Sequence, residues 1–335
     1  MTDLAPTDST ESGVVGYDRT ALAAAATAHA ESLRPANTVD AFRADWAWWE
    51  HWCGGRGIDP ATVDSALVEA YAYWLWHSAN APLTTARRRL TGLAAGLRAR
   101  LGADAVPRGL ATQARKNLSA YARESAEAGE RRRGRQRGKA PAATVDVIRA
   151  MVDTCDSSLA GLRDRALVLI GFAVAGRRSE LAGLFAADIT TEPEGLVVAI
   201  HTSKLASSRR EVAVPYSARP GTCPVRAWQA WRDAAGLVDG DPAFVPIDRH
   251  GSMTVKPLSG QAVGEIITRR ATAAGVEHRL TGHSLRRGLA TESRRAGHDL
   301  AAIARQGGWT PGSKDLHGYL EVIDRWEDNA AAGVL

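Results

Sequence analysis

The sequence is poor in cysteine and has no long hydrophobic run. Its three cysteines, Cys53, Cys155 and Cys223, are widely spaced and odd in number, which argues against a disulfide framework and a zinc site. No apolar stretch approaches the roughly 18 residues that a transmembrane helix needs. The first residues, MTDLAPTDSTESG, are polar and acidic rather than signal-like. We therefore expect a cytoplasmic protein with no membrane partner and no metal site.

Neither sign of charge is in large excess. The 42 Lys and Arg residues against 37 Asp and Glu residues leave a net charge of +5, which alone is weak evidence for nucleic acid binding. The arginines are clustered, however, and several clusters together favour DNA. A solvated helix face is an equally good interpretation of any one cluster. The candidate DNA contacts are Arg87, Arg88, Arg89, Arg131, Arg132, Arg133 and Arg287.

The chain is long enough for two domains, each with its own core. Residues 1–16 are rich in Thr, Ser, Asp and Gly and are expected to form a disordered tail. Residues 17–125 predict a bundle of helices, in which aromatic residues at three- and four-residue spacing mark buried faces. Residues 126–143 are basic and close on a proline, as in an interdomain linker that either crosses DNA or is a soluble spacer.

Residues 144–335 predict a second, mostly helical domain with a small β-sheet. Helical segments, the last of them RSELAGLFAADI, precede two alternating runs, LVVAIHTS and REVAVP, that are typical of strands. Further helices follow to the end of the chain. The predicted fold class is therefore mainly α, with an α+β arrangement in the second domain.

One window near the C-terminus, residues 280–320, has an unusual set of residues. It contains a His-x-x-Arg pair, a lone tryptophan after two glycines and a lone tyrosine. Upstream, GRRSEL contains an Arg-x-x-Glu-Leu motif, and HTSK contains a lysine before the second strand. In this order the set resembles the active site of the tyrosine recombinases, the phage integrase family. The matching residues are Arg177, Glu180, Lys204, His283, Arg286, Trp309 and Tyr319.

Two departures from the family pattern bear on this assignment. Trp309 and Tyr319 are separated by one residue more than is usual in the family, and the turn between them contains Pro311 and Gly312. The extra residue either sits in that turn or displaces the tyrosine. Arg177 is followed directly by a second arginine, so the assignment could shift by one, and the three-residue step to the glutamate favours Arg177.

The resemblance implies DNA cleavage through a covalent 3′-phosphotyrosine. Tyr319 would attack the phosphorus and conserve the energy of the phosphoester, so that neither nucleotide nor cofactor is needed to reseal the strand. Arg177 and Arg286 each present a planar guanidinium that can hold two phosphate oxygens and stabilise the charge of the transition state.

Lys204 is the candidate general acid for the departing 5′-oxygen. The pKa of a lysine ammonium group falls readily when the group is desolvated among other cations. Such a group can donate its proton. Arg209 and Arg210 cannot take this role, because arginine does not release its proton at ordinary pH.

Three further residues would support the reaction. His283 could donate a hydrogen bond to the phosphate or assist proton movement at the tyrosine. Trp309 presents an indole N–H to a phosphate oxygen, at a position where the family carries histidine or tryptophan. Glu180 can accept hydrogen bonds from active-site donors and hold their orientation.

The resemblance also implies the partners and the layout. The first domain is similar to the SAM-like core-binding domain of Cre- and Xer-type members, and the second to their catalytic domain. The expected partners are a double-stranded recombination site and a homotetramer that holds two duplexes through a Holliday junction, in association with the nucleoid. The terminal segment LEVIDRWEDNAAAGVL would dock as a helix on a neighbouring protomer.

Two other functions remain open at this point. The segment ATESRRAGHDLAAIARQGGW resembles a helix-turn-helix, as in a non-catalytic DNA-binding regulator. A type IB topoisomerase or a telomere resolvase would share the cleavage chemistry.

Overall fold

The computed structural model describes residues 36–129, 140–201, 209–310 and 312–327, with positions 21, 22, 25, 26, 29 and 33. Two compact units are distinguished, Met1–Gln136 and Arg137–Leu335. The expected disordered tail and residues 130–139 of the expected linker lie outside the described residues. Within the described ranges, no helix is long and apolar enough to cross a bilayer.

Residues 36–129 of the first unit form four long helices around an aromatic core. The first helix packs on the third and the second on the fourth. Trp49, Trp52 and Tyr71 are buried in contact with one another, with ring centroids 5.1–5.4 Å apart. The predicted aromatic core is therefore confirmed. The helices are α1 (Ala36–Gly54), α2 (Ser65–His77), α3 (Leu83–Leu101) and α4 (Thr112–Glu127).

Two glycines allow α1 and α3 to approach closely. A Cβ at Gly92 would lie 2.5 Å from the Cβ of Asp45, and one at Gly96 would lie 2.2 Å from the indole Cε3 of Trp46. Both neighbours are buried, at 0% and 6% exposure, so neither has space to retreat. The four-residue spacing puts both glycines on the face of α3 that meets α1.

Gly96→Ala is expected to destabilise the first unit by about 1–3 kcal/mol, the usual range for overpacking a close-packed contact. The gain in helix propensity, about 1 kcal/mol, offsets only part of this. Urea unfolding followed by tryptophan fluorescence measures the effect. The matched control is Gly54→Ala at the end of α1, where a Cβ meets nothing within 4 Å. Equal stability of Gly96→Ala and the wild type would contradict the close approach.

The second unit is mostly helical and carries a three-stranded antiparallel sheet in the order β1-β2-β3. Its core includes residues of the sheet and of the helices around it. The predicted fold class, mainly α with an α+β second unit, is confirmed. The elements are α5 (Val145–Asp153), α6 (Leu159–Ala173), α7 (Arg178–Ala182), β1 (Ile189–Glu192), β2 (Gly195–His201), β3 (Arg209–Pro215), α8 (Pro224–Ala235), α9 (Gly260–Ala273), α10 (Gly282–Arg295), α11 (Leu300–Gly307) and α12 (Lys314–Glu327).

The sequence predicts a helix over RSELAGLFAADI, and this prediction is wrong beyond Ala182. Helix α7 ends at Ala182, and the segment finishes in a short 3₁₀ turn that leads into β1. Strand β1 has only four residues, of which Ile189 alone is buried, so it shows no alternating pattern. Its structure comes from pairing with β2, in which Ile189 lies opposite Val198. Ile189, Thr190 and Thr191 are of types that favour strands, but without an alternating burial pattern only the pairing with β2 identifies the strand.

Candidate active site

The first part of the site is the start of α7. Glu180 lies at the third position of this helix, and its Oε2 accepts the backbone N–H of Arg177 at 2.9 Å. Its Oε1 pairs with the Arg177 guanidinium. A glutamate at this position satisfies an N–H group that the helix start leaves free, which explains the three-residue spacing. The glutamate side chain is 6% exposed and the arginine side chain 46%. The buried carboxylate therefore holds the guanidinium, which remains open to solvent.

The two adjacent arginines make different contacts. Arg177 pairs with Glu180. The Arg178 side chain instead packs over Gly282, where a Cβ would lie 2.3 Å from its Cγ. Gly176 is also required, because a Cβ there would lie 2.8 Å from Leu181. The glycine therefore lets the chain turn from α6 into α7.

Helix α10 contributes the histidine and the second arginine. Arg286 is 3% exposed, and its Nη1 donates to the carbonyls of Ala175, at 2.7 Å, and of Gly307. Its Nη2 is buried and has no hydrogen-bond partner among the described residues. Burial, followed by the nearby charge of Arg177, lowers the pKa of Arg286 to about 10. The guanidinium therefore remains protonated at neutral pH.

Trp309 covers this buried arginine. The guanidinium carbon of Arg286 lies 3.8 Å from the centre of the Trp309 ring, a cation–π contact. The indole fits there because residue 307 is glycine: a Cβ at Gly307 would lie 1.8 Å from the indole Cζ3. Gly308 then adopts a left-handed conformation, with φ of 63°, and ends α11. The two glycines before the tryptophan thus position its ring.

Tyr319 lies edge-on to Trp309, with ring centroids 6.1 Å apart and an interplanar angle of 73°. The guanidinium carbon of Arg287 lies 5.8 Å from the centre of the Tyr319 ring. The turn before α12 contains Gly312 with a positive φ of 72°. With the extra residue between them in the sequence, the rings of Trp309 and Tyr319 are in contact.

A cavity of about 180 Å³ is lined by Ala140, His283, Arg287, Asp315 and Tyr319. The histidine and the tyrosine thus share one small space. Partial burial and then the positive charges of Arg178, Arg286 and Arg177 lower the pKa of His283. A histidine with a lowered pKa is neutral at neutral pH, and a neutral imidazole can accept a proton.

Helices α10 and α11, which resembled a helix-turn-helix, support the tyrosine. Ala290 and Ile303 form one buried cluster with Leu316 and Leu320 of α12. Tyr319 packs against this cluster. The helix pair therefore holds the helix that carries the tyrosine.

Lys204, in the connection between β2 and β3, and Arg131, Arg132 and Arg133 lie outside the described residues. Arg287 lines the cavity beside Tyr319, and its Nη1 donates to the carbonyl of Ala140 at 3.0 Å.

The three arginines of α3 each make a contact within the first unit. Arg87 donates to Ser119 Oγ at 2.7 Å, and Arg89 stacks 3.7 Å over the ring of Trp48. Arg88 donates at 2.7 Å to the buried carboxylate of Asp45. Arg88 therefore has a structural role, because its charge compensates a carboxylate that burial would otherwise destabilise.

Sequence reasoning missed Arg210. Its side chain is 14% exposed, and its Nη2 lies 3.5 Å from the Oε2 of Glu180. Val212 and Val214, two and four residues on, are buried. Since alternate residues of a strand share a face, this period of two was the signal that placed Arg210 on the inner face of β3.

Comparisons with known proteins agree with this arrangement. The sequence profile described as the phage integrase family matches residues 142–322. An integrase/recombinase xerD homolog of Selenomonas ruminantium is 32% identical over 305 residues, which cover 90% of this chain and 86% of that protein.

The chain belongs to the phage integrase family. The resemblance seen in the sequence is thus confirmed, and membership makes the protein a site-specific DNA recombinase. The profile match includes Tyr319, His283, Arg287 and Asp315, four of the residues that line the cavity.

A solved recombinase structure shares the fold. The XerH recombinase bound to its palindromic difH substrate, in a post-cleavage complex, is similar with a TM-score of 0.55 at 17% identity. That match covers 81% of this chain and 72% of XerH. The XerH pre-cleavage complex gives a TM-score of 0.49 at 16% identity, over 79% of this chain and 70% of that one.

Proposed function

We propose that this recombinase cuts and rejoins double-stranded DNA at a specific site through a 3′-phosphotyrosine at Tyr319. The observation that carries the proposal is the meeting of Tyr319, His283 and Arg287 around one cavity, next to Arg286 and Arg177. A nucleophile beside a neutral imidazole and several guanidinium groups suits attack on an anionic phosphodiester.

In the proposed reaction the phenolic oxygen of Tyr319 forms a bond to phosphorus while the bond from phosphorus to the 5′-oxygen breaks. His283, which lines the same cavity as Tyr319, accepts the phenolic proton. Lys204 gives a proton to the 5′-oxygen, which leaves as a hydroxyl group. Attack by a 5′-hydroxyl from the partner duplex reverses these steps and produces a Holliday junction. No nucleotide is consumed, because the phosphotyrosine keeps the phosphoester energy.

The two active-site arginines would divide the binding of the phosphate. Arg177 offers an exposed guanidinium, whose orientation Glu180 fixes. Arg286 offers a buried Nη2 that lacks an acceptor among the described residues, and a non-bridging phosphate oxygen is the acceptor that fits. Trp309, stacked on Arg286, would hold this guanidinium in plane and direct its own N–H toward the same phosphate.

We further propose a homotetramer on two duplexes, with the C-terminal segment docked on a neighbouring protomer. Helix α12 continues from Tyr319 to Glu327, and Leu320 and Ile323 are buried in their own unit. The first part of the segment expected to dock therefore belongs to the tyrosine helix. The docking role is left to residues 328–335, which lie outside the described residues.

The test is to trap covalent adducts in the host and sequence the DNA attached to the protein. We expect one enriched sequence with the protein on a 3′ end. Purified protein should then cleave that duplex fully in EDTA and without nucleotide, because Arg177, Arg286 and Lys204 supply the positive charge. Attachment to a 5′ end, or a strict need for magnesium in cleavage, would contradict the mechanism.

Gly307→Ala is expected to lower the cleavage rate by about 100-fold, the order that a misplacement of about 1 Å can produce. The added methyl group would occupy the position of the Trp309 indole and push it from Arg286. DNA affinity should be kept, because phosphate contacts are spread over the protein. Single-turnover cleavage and a binding titration on the recovered duplex measure the two effects.

The control for this prediction is the same change in a Trp309→Ala background. Without the indole there is nothing to displace, so Gly307→Ala should have little further effect. An equal loss of rate in both backgrounds would show that the methyl group acts elsewhere.

A further inference from the structure

The end of helix α6 gathers three segments of the second unit. The last carbonyl groups of a helix lack partners within the helix and need donors from elsewhere. Here the carbonyls of residues 173–175 each accept a side-chain N–H group. The donors are Gln306 to the first at 2.9 Å, Arg210 to the second at 3.2 Å, and Arg286 to the third at 2.7 Å. These donors belong to α11, β3 and α10.

Arg210 contacts more segments of the chain than Gln306 or Arg286 does. Besides the carbonyl of Val174, its Nη1 donates to the carbonyl of Gln306, in the last turn of α11. Its Nη2 faces the carboxylate of Glu180 at 3.5 Å. One guanidinium thus joins the end of α6, the start of α7 and the end of α11. Gln306 completes the connection by also donating to the carbonyl of Ala213, on β3, at 3.2 Å.

The surrounding backbone leaves space for this side chain. A Cβ at Gly308 would lie 2.8 Å from both Cδ and Nε of Arg210. Gly308 has the left-handed φ of 63° that favours glycine, so both its conformation and its small size are used. The residue directly after it is Trp309. The position of Arg210 is therefore coupled to the point where the chain leaves α11 for the tryptophan.

Arg210 is less exposed than Arg177, and its guanidinium is directed at two backbone carbonyls and at Glu180. Its Nη2 is buried, and its side chain is 14% exposed, against 46% for Arg177. Burial, opposed by Glu180, lowers the pKa of Arg210. A buried cation next to two other arginines is unfavourable unless its contacts are needed to fix a geometry.

We propose that Arg210 is a positioning residue for strand cleavage, which fixes Glu180 and the end of α11 relative to the end of α6. It acts through Arg177, by way of Glu180, and through Trp309, by way of the last turn of α11. The inference rests on the proposed function. Lysine cannot replace it, because a single ammonium group does not span Glu180 and two carbonyls as a planar guanidinium does.

The test compares Arg210→Lys and Arg210→Met with the wild type on the duplex recovered by covalent trapping. Both variants should reduce the single-turnover cleavage rate at saturating DNA by about 100-fold, as expected for a small misplacement of reacting groups. Their Kd for the duplex should be unchanged. The lysine variant keeps the charge and most of the stem, so it also tests the idea if the methionine variant does not fold. The matched control is Arg209→Met, on the same strand, where the side chain is 56% exposed; it should cleave at the wild-type rate.

A double-mutant cycle separates positioning from general stability. In a Trp309→Phe background the effect of Arg210→Lys should shrink, because both changes disturb the aromatic group at position 309. Additive effects, a loss of DNA affinity in step with the rate, or full activity of Arg210→Lys would each overturn the inference. The wild-type protein distinguishes the two proposals. If it forms no adduct, the proposed function is wrong, whereas wild-type cleavage with an unimpaired Arg210→Lys contradicts only the role of Arg210.

Discussion

Tyr319→Phe is expected to abolish strand cleavage and covalent adducts while DNA binding stays nearly intact. The change removes only the phenolic oxygen and keeps the ring that packs 6.1 Å from Trp309. Affinity comes mainly from phosphate contacts, which this substitution does not touch. Denaturing gels report the adduct, and a binding titration on the same duplex reports the affinity.

Tyr216→Phe is the matched control for this prediction. Tyr216 lies just after β3 and is 40% exposed, so loss of its hydroxyl group should leave cleavage unchanged. Adducts that persist in Tyr319→Phe at the wild-type rate would show that another side chain attacks the phosphorus.

Lys204→Ala should slow cleavage of an ordinary phosphodiester by about 10²–10⁴-fold, the usual contribution of a general acid. The 5′-oxygen would otherwise leave as an alkoxide, which is a poor leaving group without a proton. A substrate with sulfur at the bridging 5′ position should restore much of the rate, since a thiolate leaves without protonation. Rates on the two substrates, measured in single turnover, give the comparison.

Two controls define this result. Lys256→Ala, at an exposed lysine in another loop, should cleave both substrates at the wild-type rate. Arg177→Ala should stay slow on the sulfur substrate, because its role concerns charge on the non-bridging oxygens. If Lys204→Ala is equally slow on both substrates, Lys204 binds phosphate or has a structural role. His283 then becomes the next candidate for the general acid.

Local patterns predicted most of the helices and the chemistry of the site. The spacing of Trp46, Trp49 and Trp52 indicated one buried helix face, and all three are buried. Such patterns repeat with the period of the element, so they can be seen without knowledge of its neighbours. Strand β1 has no such pattern, since its partner strand determines its structure.

Long-range contacts produce pairings that the sequence did not reveal. Arg88 was a candidate DNA contact, and it pairs with Asp45, which lies 43 positions earlier in the chain. Arg210 was considered only as a substitute for Lys204. Its partner in α11, Gln306, lies 96 positions later. Residue type and spacing do not reveal such pairs, because they depend on how the elements pack.

The sequence by itself determined the family, the order of the candidate catalytic residues and the types of their functional groups, because these are properties of the residues themselves. The tertiary structure decided which groups meet. It brings Trp309 over Arg286, places Tyr319 and His283 around one cavity, and collects three donors at the end of α6. The physical reason is that the carbonyl groups at a helix end and the space beside a glycine become binding positions only when other elements pack against them.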